Sequence, residues 1–167
     1  MISFRYLNEN KSLILNRGNI YSIILILLIF ILDRFSKIEI INKFNDNTYI
    51  LNDFLNIDLI WNTGIGFGLL SFDTSFIYNT ITAVIALIIL ALFLTSLILK
   101  KIDKLIFSII LGGALGNIYD RVFYNAVPDF IDLHYSSFHW FTFNIADIFI
   151  TLGIITFVAK DFFIKNK

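Results

Sequence analysis

Residues 76–99 read FIYNTITAVIALIILALFLTSLIL, a run without one charged side chain, and KKIDK follows at 100–104. A helix needs roughly 20 apolar residues to cross the hydrocarbon of a bilayer, and lysines at its end hold that end on the cytoplasmic side. Three more apolar runs lie around it. Residues 18–32 sit between Arg17 and Asp33, residues 102–119 are broken only by Asp103 and Lys104, and residues 144–159 contain Asp147. None shows a one-sided apolar stripe, as expected of helices that are apolar all round. The reading is one polytopic membrane domain over residues 1–167. It is an all-α membrane protein with four transmembrane helices, at about 18–36, 76–99, 102–119 and 144–163.

Composition supports this. Hydrophobic residues make up 57% and charged residues 16%, and the mean hydropathy is +0.80. A soluble domain usually carries about 25% charge. The 13 basic and 13 acidic residues cancel, which leaves no strongly basic face for nucleic acid. Cysteine is absent, which excludes a disulfide scaffold, a thiol nucleophile and cysteine-based metal sites. Lys11 and Arg17 ahead of the first run resemble the start of a signal peptide. No small-x-small cleavage site follows, and Asp33-Arg34 come straight after, so the run reads as an uncleaved span.

Charge sets the orientation. Residues 1–17, 100–104 and 160–167 together hold nine basic residues against three acids; the remainder holds four basic residues against ten acids. Both termini are therefore expected in the cytoplasm, with two outer loops. In the first outer loop, Leu55, Ile57, Leu59 and Trp61 alternate with Asn56, Asp58, Ile60 and Asn62. This mostly period-two pattern predicts a strand. A small extracytoplasmic β-sheet over about residues 45–70, between helices one and two, is the expectation. The second outer segment, 120–143, is aromatic and polar, with His134, Tyr135, His139, Trp140 and Phe141, and suits the membrane interface.

The acids are the informative part. A third helix entering at Ile102 brings Asp120 and Arg121 out at the outer boundary, because 18 residues at 1.5 Å rise span roughly 27 Å. Asp147, near the start of an antiparallel fourth helix, falls at the same depth. Asp33 ends the first helix on that side, and Asp129 lies on the short connection. An acid inside an apolar stretch is costly and points to function. For Asp147 a helix cap competes, since Asn144-x-x-Asp147 has capping spacing. Asp33 and Lys37, at i,i+4, read equally as an interfacial ion pair. Two close carboxylates at a dry boundary share one proton, so that one activates water while the other donates. His134 and His139 with Asp132 match no common metal spacing, and no metal or cofactor is expected. Two other classes stay open on these residues alone. One is a different intramembrane aspartyl protease, since Tyr119-Asp120 echoes presenilin-like enzymes, whose Gly-x-Gly-Asp partner is missing. The other is a small transporter using Asp147 as a proton or cation site, although transporters place such acids near the midplane.

Five blocks occur in order: Asp33-Arg-Phe-Ser-Lys37, Asn62-Thr-Gly64-Ile-Gly-Phe67, Gly112-Gly-Ala-Leu-Gly116-Asn117-Ile-Tyr-Asp120-Arg121, Val127-Pro-Asp129-Phe130-Ile-Asp132 and Asn144-Ile-Ala146-Asp147. Together they resemble the bacterial lipoprotein signal peptidases, the type II signal peptidases, over about residues 22–155. The resemblance implies an aspartic endopeptidase of the bacterial cytoplasmic membrane, working as a monomer among membrane lipids, with its active site near the outer face. It would cut diacylglyceryl-prolipoproteins just before the lipidated cysteine and be inhibited by globomycin-type peptides. The catalytic pair falls on Asp129 and Asp147. Supporting and substrate-binding residues fall on Asp33, Lys37, Asn62, Gly64, Asn117, Asp120, Arg121 and Asn144. Arg121 is expected to pair with an acid, Asp120 or a neighbour, while Asn117 and Asn144 donate toward the dyad. Three positions depart from the family pattern. Pro128 stands where valine is usual, and Ile65 and Gly66 stand where alanines are usual.

Overall fold

The computed structural model describes residues 16–43, 48–64, 75–99, 101–136 and 138–165. Four helices and four strands follow in the order α1 (Arg17–Lys43), β1 (Tyr49–Asn52), β2 (Leu55–Asn62), α2 (Ser75–Ile98), α3 (Lys101–Tyr124), β3 (Val127–Tyr135), β4 (Phe138–Phe143) and α4 (Ile145–Lys165). Central α3 packs on α1, α2 and α4; α1 also touches α4, and α2 rests chiefly on α3. Ile26 of α1, Ile89 of α2 and Leu111 of α3 meet in one core cluster, with Ile85, Leu92 and Ala114 packed around them.

Among the described residues two helices, Phe76–Ile98 and Lys101–Tyr124, are long and apolar enough to cross a membrane. In the first, only 11% of the most apolar window is buried inside the molecule. Leu87, Ile88, Leu90 and Leu94 all point outward at more than half exposure. The core helix of a soluble protein would hide these side chains; here they form a broad apolar surface of the kind that faces another apolar phase.

Two helices run past their expected ends. α1 continues to Lys43 rather than stopping near residue 36, so Asp33 sits within it. Asp33, Arg34, Lys37 and Ile40 are all buried there, and the charges find partners inside the protein, so they do not end the helix. α3 continues to Tyr124. Asn125 then takes a positive φ of 55°, the left-handed conformation that commonly closes a helix. Asp120 and Arg121 therefore lie a turn before the helix end, not at it.

The sheet is antiparallel, in the order β1-β2-β3-β4. The expected strand at residues 55–62 is β2, and Ile65 to residue 70 lie outside the described residues. The sheet also takes strands from the second outer segment, so it does not lie only between the first two helices. Strand β3 carried no period-two signal because its first four residues are buried on both faces. Pro128 does not break it: it sits second in the strand, opposite Trp61, and Asp129 follows opposite Ile60. The pairing of β2 with β3 is irregular between Ile57 and Ile60. That irregularity sits beside Asp129, where a bulge re-aims side chains.

Candidate active site

Asp129 reaches the site from β3, three residues after the end of the α3–β3 turn, and Asp147 from the first turn of α4. Both line one cleft of about 290 Å³, together with Asn62, Ala114, Asn117, Arg121 and Thr151. The far wall is Ile85 of α2 facing Ile150 and Ile154 of α4, so the cleft opens between two helices that barely touch.

Asn144 ties the two aspartates together. Its Nδ2 donates to Asp129 Oδ1 at 2.6 Å. Its backbone N–H donates to Asp147 Oδ2 at 3.1 Å, and its Oδ1 accepts from the Asp147 N–H at 3.1 Å. The last two bonds are a helix cap, so the capping geometry read from the spacing is present. It does not exhaust either residue: one side chain reaches Asp129, and the other lines the cleft.

The remaining carboxylate oxygens have their own donors. Asn62 Nδ2 donates to Asp129 Oδ2 at 2.8 Å, and Asn117 Nδ2 donates to Asp147 Oδ1 at 2.8 Å. Asp129 is 3% exposed. Burial pushes its carboxyl up to about 7, and the neighbouring Asp147 charge pushes the same way; hydrogen bonds from Asn62 and Asn144 and the charge of Lys37 oppose the rise.

Beneath the pair lies a buried ionic network. Lys37 Nζ donates to Asp33 Oδ2 at 2.8 Å, Asn117 Oδ1 at 2.8 Å and Asp120 Oδ2 at 2.7 Å, and all three charged side chains are fully buried. Three donors thus meet three acceptors, the condition for keeping an ammonium out of water. Asn117 relays this order to Asp147. Asp33 Oδ1 accepts the Ala146 N–H at 2.9 Å, which fixes the start of α4 from α1.

Arg121 differs from the sequence expectation. Among the described residues it forms no ion pair with an acid; its Nη2 donates to the Gly64 carbonyl, and its guanidinium lies 5.5 Å from the Tyr78 ring centroid. It braces the turn after β2, where the Gly64 N–H donates to Asn62 Oδ1 at 2.8 Å. The acid expected for Arg121 is occupied elsewhere, since Asp120 bonds Arg34 and Lys37. Arg34 was missed as a site-supporting residue. Its signal was present: three charges, Asp33, Arg34 and Lys37, stand after a long apolar run and need partners. Arg34 also lies 4.7 Å from the Tyr119 ring centroid.

The histidines do not line the cleft. His139 Nδ1 lies 2.8 Å from Asp132 Oδ2, and His134 lies beside His139 at a centroid distance of 5.2 Å. Among the described residues no group of three or more histidines or acids is arranged to hold a metal ion.

Fold and site together define a class: an apolar helical bundle with a small sheet, holding two hydrogen-bonded carboxylates over a cleft that opens between helices. The comparisons with known proteins agree. The family model of signal peptidase (SPase) II matches residues 25–163. A lipoprotein signal peptidase of Pelagibacter ubique is 48% identical over 157 residues, covering 92% of this chain and 95% of the relative. One from Anaplasma phagocytophilum is 38% identical over 148 residues, covering 87% and 94%. A solved bacterial membrane enzyme superposes with a TM-score of 0.67 at 31% identity, covering 83% of this chain and 85% of that one. The chain belongs to the signal peptidase II family, the lipoprotein signal peptidases.

Proposed function

We propose that the chain is a membrane aspartic endopeptidase that removes the signal peptide from diacylglyceryl-prolipoproteins, cutting just before the lipidated cysteine. The observation that carries this is the clamp of Asn144 on two carboxylates from different elements, both lining the cleft between α2 and α4. The apolar walls of that cleft suit a substrate helix entering sideways from lipid.

Asp129 and Asp147 share one proton. The ionised carboxylate takes a proton from a water between them, and the oxygen of that water attacks the scissile carbonyl carbon. The protonated carboxyl gives its proton to the carbonyl oxygen. As the tetrahedral intermediate collapses, the C–N bond breaks, the leaving nitrogen takes up a proton from the dyad, and one hydroxyl of the intermediate returns its proton to the dyad as the carbonyl re-forms. Burial raises the Asp129 carboxyl to about 7, so a shared proton is available up to near-neutral pH. Asn62, Asn117 and Asn144 hold the carboxylates at fixed angles. Asp33, Lys37, Asp120 and Arg121 hold those asparagines and the Asn62–Gly64 turn.

In this reading all four helices span the bacterial cytoplasmic membrane, with both termini in the cytoplasm and the site near the outer face. α1 fits this reading because Asp33, Arg34 and Lys37 find partners inside the bundle, and α4 because Asn117 and Asn144 hydrogen-bond Asp147. The enzyme works as a monomer, needs no metal, and is blocked by globomycin-type peptides that occupy the cleft.

The test is cleavage of a synthetic diacylglyceryl pro-peptide by the purified protein in lipid. Cleavage before the lipidated cysteine, abolished by globomycin and by Asp147→Asn, is expected. An intact peptide after incubation with the folded wild-type protein overturns the reading, and a transporter would give that result.

A further inference from the structure

We infer that Thr151 is a substrate-binding residue: its hydroxyl donates a hydrogen bond to a main-chain carbonyl of the signal peptide, that of the third residue before the lipidated cysteine. The inference rests on the peptidase reading above. Asn62, Asn117, Arg121, Asp129, Asp147 and Thr151 are the polar side chains that line the cleft. All but one are engaged inside the protein. Asn62 bonds Asp129 and the Gly64 N–H, Asn117 bonds Lys37 and Asp147, Arg121 bonds the Gly64 carbonyl, and Asn144 bonds both aspartates. Thr151 is the exception. It is exposed, and among the described residues its hydroxyl has no hydrogen-bond partner. Thr80, Thr95 and Thr156 behave differently, each donating to the carbonyl four residues earlier in its own helix. That back-bond is how a helix threonine commonly satisfies its proton. The Thr151 hydroxyl makes no such bond to the Asp147 carbonyl, and it borders a space walled by Ile85, Ile150 and Ile154.

The reaction itself creates the acceptor. Water attacks a carbonyl only when it is free of its helix, so the signal-peptide helix must end before the cleaved bond. The last four carbonyls of a helix have no partner within it. Water would solvate them at a surface, but between isoleucines in lipid a bare carbonyl is costly and needs a donor from the protein. Spacing says which carbonyl. Thr151 follows Asp147 by four residues, on the same face of α4 and about 6 Å further along its axis. In the orientation proposed above, α4 runs inward from the outer face, and the residues before the cleaved bond lie deeper than Asp147, on the side of Thr151. An extended chain advances about 3.3 Å per residue, so two residues cover that distance. The carbonyl under attack belongs to the residue next to the cysteine. Two residues back from it is the third before the cysteine. A bond to the main chain reads no side chain, so the same contact serves signal peptides of different sequence.

The experiment changes substrate and enzyme together. Diacylglyceryl pro-peptides carry one ester in place of an amide at successive positions before the cleaved bond, and an ester carbonyl is the weaker acceptor. With the wild-type enzyme, the ester at the third residue's carbonyl should lower kcat/KM the most, up to the roughly two- to tenfold worth of one hydrogen bond. Thr151→Val removes the hydroxyl at nearly constant volume. Its kcat/KM on the all-amide peptide should fall by roughly the same two- to tenfold, its melting temperature should stay near that of the wild type, and the ester should no longer matter. Thr151→Ser, which keeps the hydroxyl, should recover most of the rate together with the ester sensitivity. A Thr151→Val enzyme that cuts at the wild-type rate, an ester loss equal in both enzymes, or a loss that Thr151→Ser does not recover overturns the inference and leaves the peptidase reading intact. If Thr151→Val does not fold, the ester series on the wild type decides, and a series in which no position stands out overturns the contact. An all-amide peptide that the folded wild-type protein does not cut overturns the peptidase reading, and this inference with it.

Discussion

Asn144 makes a hydrogen bond to each member of the proposed dyad, and it also caps α4. Replacing Asn144 with alanine should therefore do two separable things. Loss of the cap costs about 1 kcal/mol of stability, seen as a lower melting temperature. Loss of both carboxylate contacts should lower kcat well beyond what that destabilisation explains. For the dyad, Asp129→Asn and Asp147→Asn should each abolish turnover, and the double variant should be little worse, because residues acting as a unit are not additive. Asp120→Asn is the contrast. It removes a carboxylate facing Lys37 and Arg34, and breaking a buried pair costs about 3–5 kcal/mol. Its melting temperature should fall while the molecules that stay folded still cut. A dead Asp120→Asn beside an active Asp129→Asn would move the pair to Asp120 and Asp147. The pH profile follows from the Asp129 carboxyl, raised to about 7. A raised carboxyl keeps its proton until the pH passes that value, then loses it. Turnover should therefore fall about tenfold per unit above roughly pH 7, and fall again in acid where the second carboxylate is protonated, both limits belonging to the pair. A rate that stays flat to pH 9 counts against a shared proton.

At the scale of elements, α1 and α3 meet through glycines whose missing side chains make room for the ionic network. A Cβ on Gly116 would overlap the Asp33 carboxylate, and one on Gly112 would come within 2.7 Å of Ile29 Cβ. Gly116→Ala should therefore push Asp33 away from Lys37 and from the Ala146 N–H, loosening the start of α4 that carries Asp147. Overpacking of this kind costs about 1–3 kcal/mol. Activity should fall more than stability does, and a Gly116→Ala enzyme with normal kcat would show that Asp33 does not position the dyad. β3 is the other decisive element. It delivers Asp129 because the pairing with β2 is irregular between Ile57 and Ile60.

At the scale of the molecule, the apolar exterior of α2 and the buried charges of α1 belong to a bundle sitting in lipid. The chain has no cysteine, so single-cysteine labelling needs no background removal. A cysteine at Lys101, at the start of α3, should react only from the cytoplasmic side. One at Asp53, between β1 and β2, should react only from outside. Both reacting from one side would refute four alternating spans.

Part of this was legible in the chain itself. Hydropathy runs and loop charge point to a membrane bundle, because both are sums along the sequence that survive any detail of packing. β2 was visible because its side chains alternate, and the five ordered blocks pointed to the family. The second half of the sheet was not, since β3 is buried on both faces at its start and its period disappears. Nor was the pairing of charges. Arg121, Asp120, Lys37, Asp33 and Arg34 offered several neutral combinations of equal plausibility. Only the rotation of α1 against α3, set by Gly112 and Gly116, gave Asp120 to Arg34 and Lys37 and left Arg121 to the Gly64 carbonyl. Ion pairs between helices depend on which faces meet, and that is decided by side-chain packing between segments some 80 residues apart in sequence.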